Sequence, residues 1–126
     1  MASEGLHEPA ELLGGEAIDR HRAYASLKEE LEAIDWYDQR IHATADASLA
    51  AVLTNSRDDE KEHAAMTLEW LRRHDPVLDR HLRTYLFVDD DILAVEEAAE
   101  HAGGTDDPTS GSLAIGSLRN DSEDSL

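Results

Sequence analysis

The segment Glu60-Lys61-Glu62-His63 sets a carboxylate and an imidazole three residues apart. On a helix, positions i and i+3 are neighbours on one face, so this Glu-x-x-His offers an oxygen and a nitrogen to one ligand. A further carboxylate, Glu30, stands on a different stretch of chain. At about 100° per residue, Glu30 falls inside an apolar stripe of Leu27, Leu31, Ile34 and Ile41. Tyr37, seven residues later, lies almost directly beneath it. Glu60 and His63 fall inside a second stripe of Leu49, Val52, Leu53, Trp70 and Leu71, with Ser56 and Thr67. Glu29, Glu32 and Trp36 point away from the first stripe, and Glu62 and Glu69 away from the second. A carboxylate on an apolar stripe is costly unless a partner neutralises it. Two carboxylates and an imidazole on adjacent helices can do so through a shared metal ion. Oxygen and nitrogen donors suit iron, manganese or zinc, and nothing favours softer ions. A salt-bridge network fed by Lys61 or Arg57 is the other way to balance the charge. Tyr37 is then either a group beside the metal or a packed aromatic with a satisfied hydroxyl.

These stripes require two long helices. Pro9 opens a short helical turn that Gly14-Gly15 breaks. From Glu16 to about Ala45 there is neither Gly nor Pro, and helix formers dominate. The break Thr44-Ala45-Asp46-Ala47-Ser48 supplies Asp46 as N-cap for a second helix, about Ala47 to His74. Asp75-Pro76 ends it, because the residue before proline disfavours the α region. Pro76 suits the first turn of a third helix running to Tyr85. Asp89-Asp90-Asp91 lacks a calcium-loop pattern and caps a fourth helix, about Ile92 to Ala102, which Gly103-Gly104 closes. His42, His74, His81 and His101 are expected on the surface. No strand-like alternation of useful length occurs, so the class is all-α.

Two long helices joined by a short turn form an antiparallel hairpin, and two hairpins complete a four-helix bundle. Di-iron bundles take one Glu from each of two helices and a Glu-x-x-His from each of the other two. Glu30, Glu60 and His63 are half of that set. A two-fold axis would supply the other half, making the metal site and the dimer interface one place. With 126 residues and only 5% aromatics, the chain is thin for an independent core, which also argues for a dimer.

Asp and Glu number 29 against 11 Lys and Arg, for a net charge of −18. Such a field attracts cations and repels nucleic acid and anionic membrane. Without cysteine, disulfides, zinc knuckles and Fe–S clusters are excluded. No apolar run is long enough to span a bilayer. The N-terminus has neither the basic start nor the apolar stretch of a signal peptide, so a soluble, cytoplasmic protein is expected. Residues 1–102 read as the helical domain, and 103–111, GGTDDPTSG, as a flexible linker. Residues 112–126 read as a tail whose apolar island, Leu113, Ile115 and Leu118, suits docking into a groove.

The stretches EELEAIDWYDQR (29–40), RDDEKEHAAMTLEWLRR (57–73) and HLRTYLF (81–87) resemble the encapsulated ferritins, over roughly residues 7–101 and without large gaps. The resemblance implies a ferritin-like half-bundle that oxidises Fe(II), with dioxygen or peroxide as acceptor. It implies a di-iron centre between two chains, a decameric ring of five dimers, and housing in an encapsulin nanocompartment. It assigns the ligands to Glu30, Glu60 and His63, the residues the helical faces select. It sets Tyr37 beside the metals and an outer acidic site, through which metal arrives, at Glu29, Glu32 and Trp36. The tail resembles the docking peptide of encapsulin cargo through Leu113, Ile115, Gly116, Ser117, Leu118 and Arg119, with NDSEDSL following it. A non-catalytic acidic adaptor and a manganese or mixed-metal oxidoreductase on the same bundle are the competing readings.

Overall fold

The computed structural model describes residues 5–105, with side chains described to residue 102. Four helices follow in order: α1 (Ala10–Ala43), α2 (Ala47–Arg73), α3 (Pro76–Tyr85) and α4 (Ile92–Thr105). No strand occurs among the described residues, so the class is all-α, as expected. The chain divides into two compact units, Met1–Arg80 and His81–Leu126.

In the first unit, Gly14 interrupts α1 with φ 79° and ψ 162°. Glycine adopts that left-handed value without steric cost, which sets the short turn after Pro9 apart from the long helix. α1 ends where the Thr44 N–H donates to the Arg40 carbonyl at 3.0 Å. Asp46 then caps α2, its Oδ1 accepting from the Leu49 N–H at 3.0 Å. The Asp46 N–H donates in turn to Thr44 Oγ1 at 3.1 Å. This tight connection folds α2 back along α1 as an antiparallel hairpin.

Two long-range ties set the register of the hairpin. The Arg57 guanidinium donates to Asp38 Oδ1 at 2.9 Å, and the Tyr24 hydroxyl donates to Asp75 Oδ2 at 3.2 Å. Asp75 also accepts the Val77 and Leu78 N–H groups at 3.1 and 3.0 Å, so it both starts α3 and anchors it to α1. Arg72 joins Glu69 to Asp79 across the same corner. Arg72 and Arg73 hold the Glu69 carboxyl down to about 2.

The Leu78 N–H, with help from Tyr24, holds the Asp75 carboxyl below its usual value. A depressed folded-state pKa contributes stability above the unfolded value, near pH 4, that is lost as pH falls through the folded one. Asp75→Asn keeps a capping oxygen without the charge. Below about pH 4, the wild-type melting temperature should therefore fall more steeply than that of Asp75→Asn, followed by circular dichroism. Parallel profiles would remove Asp75 from the acid response.

A single hairpin buries very little. Leu71 (0% exposed) and Ala64 (8%) are the buried hydrophobic residues among those described, and α1 contributes none. Leu31, Leu49, Val52, Met66 and Trp70 are all exposed. Burying a fully exposed aliphatic side chain contributes roughly 1.5–3 kcal/mol, and these, already partly covered, would each add a fraction of that. Leu31 of the first expected stripe and Leu49, Val52 and Trp70 of the second are thus left partly uncovered in one chain.

In the second unit, the Leu86 N–H still donates to the Leu82 carbonyl at 2.9 Å. The next residue, Phe87, turns to φ 62°. Helices usually end this way on glycine, and an L-residue there costs roughly 1–2 kcal/mol. Asp91 Oδ2 accepts from the Ala94 N–H at 3.1 Å, capping α4. α4 runs through Gly103 and Gly104 to Thr105, past the expected end at Ala102. Glycine costs a helix about 1 kcal/mol relative to alanine but does not forbid it. The remainder of the 103–111 linker and the whole 112–126 tail lie outside the described residues.

Candidate metal centre

Glu30 is half-buried on α1, and its Oε1 is buried with no hydrogen-bond partner among the described residues. An unmet buried polar atom costs about 1–3 kcal/mol, so the position calls for a cation or donor that one chain does not provide. On α2, Glu60 Oε1 lies 3.8 Å from His63 Nδ1. That is the neighbour distance of an i, i+3 pair and too long for a hydrogen bond. The Glu60 side chain is 29% exposed and that of His63 49%, so both sit at the rim of the hairpin with donors to spare.

The Arg57–Asp38 and Tyr24–Asp75 ties place residue 30 opposite about residues 65–69 of α2. Glu60 and His63 lie a little nearer the hairpin turn. No cluster of three or more acidic or imidazole groups able to hold a metal forms in one chain among the described residues. The helix brings Glu60 and His63 together, and Glu30 does not join them in a three-donor group among the described residues.

Neither basic residue considered as a neutralising partner serves Glu30 or Glu60. Arg57 is engaged by Asp38 and Asp58, and Lys61 forms no ion pair with either carboxylate among the described residues. Tyr37 is half-buried, with the Arg40 guanidinium 5.6 Å from its ring centroid, a cation–π distance. No hydrogen bond joins its hydroxyl to Glu30, Glu60 or His63 among the described residues. Glu29, Glu32 and Trp36 are exposed, as their helical positions predict. His42, His74, His81 and His101 are exposed too, with His74 stacked on Trp70 at 3.8 Å between ring centroids. The six tail residues from Leu113 to Arg119 assigned to docking lie outside the described residues. Asp38 and Tyr24, which hold the register of the hairpin, carry no local signal in the sequence. Only the Asp-Pro step advertises Asp75.

Next to these residues, Arg22, Ala23, Ser26, Met66, Thr67 and Trp70 line an open groove of about 340 Å³ between the helices. Ser26 is one helical turn before Glu30 and Thr67 one turn after His63. The apolar groove and the carboxylate–imidazole set therefore share one face.

A long antiparallel hairpin with acidic and imidazole donors on a partly uncovered face defines a ferritin-like half-bundle. The sequence model of the EncFtn-like family matches residues 5–89, and the chain belongs to that family. It is 52% identical over 128 residues to the encapsulated ferritin-like protein of Rhodospirillum rubrum, covering 94% of this chain and 91% of that one. It is 50% identical over 116 residues to a ferritin-like protein of Thermotoga maritima, covering 92% and 99% respectively. The crystal structure of protein ne0167 from Nitrosomonas europaea matches with a TM-score of 0.68 and 53% identity, over 70% of this chain and 97% of that one.

Proposed function

We propose that this protein is a ferroxidase that oxidises Fe(II) to Fe(III) at a site built by two chains, inside an encapsulin shell that its tail engages. The observation that carries the reading is the buried, unpartnered Glu30 Oε1 on the same hairpin as the Glu60–His63 pair. The donors fit iron in type, being carboxylate oxygen and imidazole nitrogen. A two-fold partner doubles Glu30, Glu60 and His63 into the ligand count of a di-iron bundle. Fe(II) is the substrate, and a bound pair gives up one electron per ion to dioxygen or peroxide.

The chain's own residues supply charge, position and cover. Four carboxylates from two chains offset the charge of two ferrous ions and favour the ferric state. His63 binds as the neutral ring. Tyr37, on the Glu30 face, packs beside the site. Glu29 and Glu32, with Trp36 next to them, gather Fe(II) on the outer surface and pass it inward. Met66 and Trp70 give a second hairpin an apolar surface to close on, which excludes water from the donors. The dimers assemble further into a decameric ring, and Fe(III) leaves to mineralise in the shell. The name of the Rhodospirillum rubrum relative, an encapsulated ferritin-like protein, supports the shell as partner, with residues 112–126 as the docking peptide.

A ligand set split between chains links binding to assembly, because iron then stabilises the dimer and not the monomer. Anaerobic Fe(II) should shift the mass distribution of dilute protein from monomer toward dimer and larger species. Admitting oxygen should then produce Fe(III) absorbance. Identical mass distributions with and without Fe(II) at every concentration would refute a shared site. Assembly without any oxidation signal would favour the adaptor reading, and manganese found on elemental analysis of purified protein would favour the other di-metal enzyme.

A further inference from the structure

We infer that Met66 is a modification site for hydrogen peroxide. In chains not yet paired, peroxide converts its thioether into the sulfoxide, and the polar side chain then weakens pairing through the hairpin face and with it iron loading. The inference rests on the proposed site shared by two chains. Met66 lies in α2, one helical turn after His63 and one before Trp70. At about 100° per residue it is turned roughly 140–160° away from buried Ala64 and Leu71. The register of α2 therefore holds it out of the hairpin core, and it is 58% exposed.

Its chemistry and its place single it out as an acceptor of oxygen. The chain has no cysteine, and its methionines are Met1 and Met66, so Met66 carries the sole sulfur atom among the described residues. It lines the open groove with Ser26, Thr67 and Trp70, and that groove, of about 340 Å³, admits a molecule as small as peroxide. The same face carries His63 and, across the hairpin, Glu30, where Fe(II) meets dioxygen in the proposed reaction. Two Fe(II) ions giving one electron each to dioxygen, with two protons, yield one hydrogen peroxide. The reaction itself thus releases the oxidant that unpaired chains meet.

In the step itself, the sulfur lone pair attacks one peroxide oxygen. An S–O bond forms as the O–O bond breaks, sulfur gives up two electrons, and the departing oxygen takes the proton of the transferred one and leaves as water. The Ser26 and Thr67 hydroxyls that line the groove can relay that proton. The product is a polar, chiral sulfoxide in place of a flexible apolar side chain. It stands on the apolar surface that Met66 and Trp70 offer to a second hairpin, where an unmatched polar group opposes burial. Paired chains cover this surface, so unpaired chains react first. Methionine sulfoxide is reduced enzymatically, which makes the change a reversible brake on assembly.

The test uses full-length wild type, Met66→Leu and Met66→Gln, with circular dichroism checking that each is folded. Each is treated with hydrogen peroxide, either metal-free or preloaded with Zn(II), which suits the same donors and has no redox chemistry. Peptide mass spectrometry locates the added oxygen. Mass distribution with anaerobic Fe(II), after peroxide is removed, reads pairing. Met66 should gain one oxygen at least tenfold faster in metal-free chains than in Zn(II)-loaded ones. Oxidised wild type and untreated Met66→Gln should pair at least tenfold more weakly than untreated wild type, and methionine sulfoxide reductase should restore the oxidised protein. Met66→Leu, apolar and of similar volume, should pair alike before and after peroxide. Oxygen on Trp70 in place of Met66, equal rates with and without Zn(II), or undiminished pairing of the oxidised chain overturns the inference. So does loss of pairing in peroxide-treated Met66→Leu, which places the damage elsewhere. Failure of the shared-site reading looks different: the mass of untreated wild type would then ignore Fe(II), and the inference would fall with it.

Discussion

Glu30→Ala, Glu60→Ala and His63→Ala should each reduce Fe(II) oxidation by roughly 100-fold or more. Residues that merely orient metal ligands typically cost 10–100-fold when removed, and each of these substitutions deletes two direct ligands from a two-fold site. The protein should remain folded. Glu60 and His63 sit at the rim of α2, and alanine is the best helix former. For Glu30 the two readouts should move in opposite directions. Its Oε1 is buried without a partner, so Glu30→Ala removes an uncompensated polar group and should leave the iron-free protein as stable or more stable. A melting temperature that holds or rises while oxidation collapses identifies a ligand. A melting temperature that falls together with activity would mark Glu30 as structural, and near-wild-type rates in all three variants would move the site elsewhere.

The second large effect concerns the tail. Leu113, Ile115 and Leu118 form an apolar island in a segment otherwise too polar to fold alone. The GGTDDPTSG stretch before it reaches roughly 15–18 Å as a random coil. In an assembly of many identical chains, modest affinity per tail sums to firm capture. Removing residues 112–126 should therefore leave helix content, assembly and iron oxidation as in wild type. Co-expressed with the cognate shell protein, the shortened chain should stay outside the shells that the full chain enters. Equal packaging of both forms would show that the tail does not direct encapsulation. Packaging lost together with assembly would instead assign the tail a structural role.

Much of the secondary structure was legible because its causes are local. Asp46, Asp75 and Asp91 cap helices through bonds to backbone groups two or three residues away, and such contacts are written in adjacent letters. The break at Gly14 and the start at Pro76 follow from the dihedral limits of those two residues. The 3.6-residue period placed Glu60 and His63 on one face, and they stand 3.8 Å apart. Reading Gly103-Gly104 as a stop failed, since α4 passes through both to Thr105, and glycine only weakens a helix.

Periodicity also showed that Glu30 belongs to an apolar stripe, but it could not say what meets it there. Arg57 was a reasonable counter-charge from sequence, yet the folded hairpin gives it to Asp38. Tyr24 reaches Asp75 across 51 positions of sequence. These ties set the register of the hairpin. Composition, helix limits, helical faces and the donor types were thus determined by the sequence alone, because they depend on residue type and on neighbours within one or two turns. The lack of a hydrogen-bond partner for the Glu30 Oε1 among the described residues and the exposure of Leu31, Leu49, Val52 and Trp70 were decided only by the tertiary structure. Which side chains meet across a hairpin depends on distances in space, and one hairpin has too few faces to cover its own apolar surface.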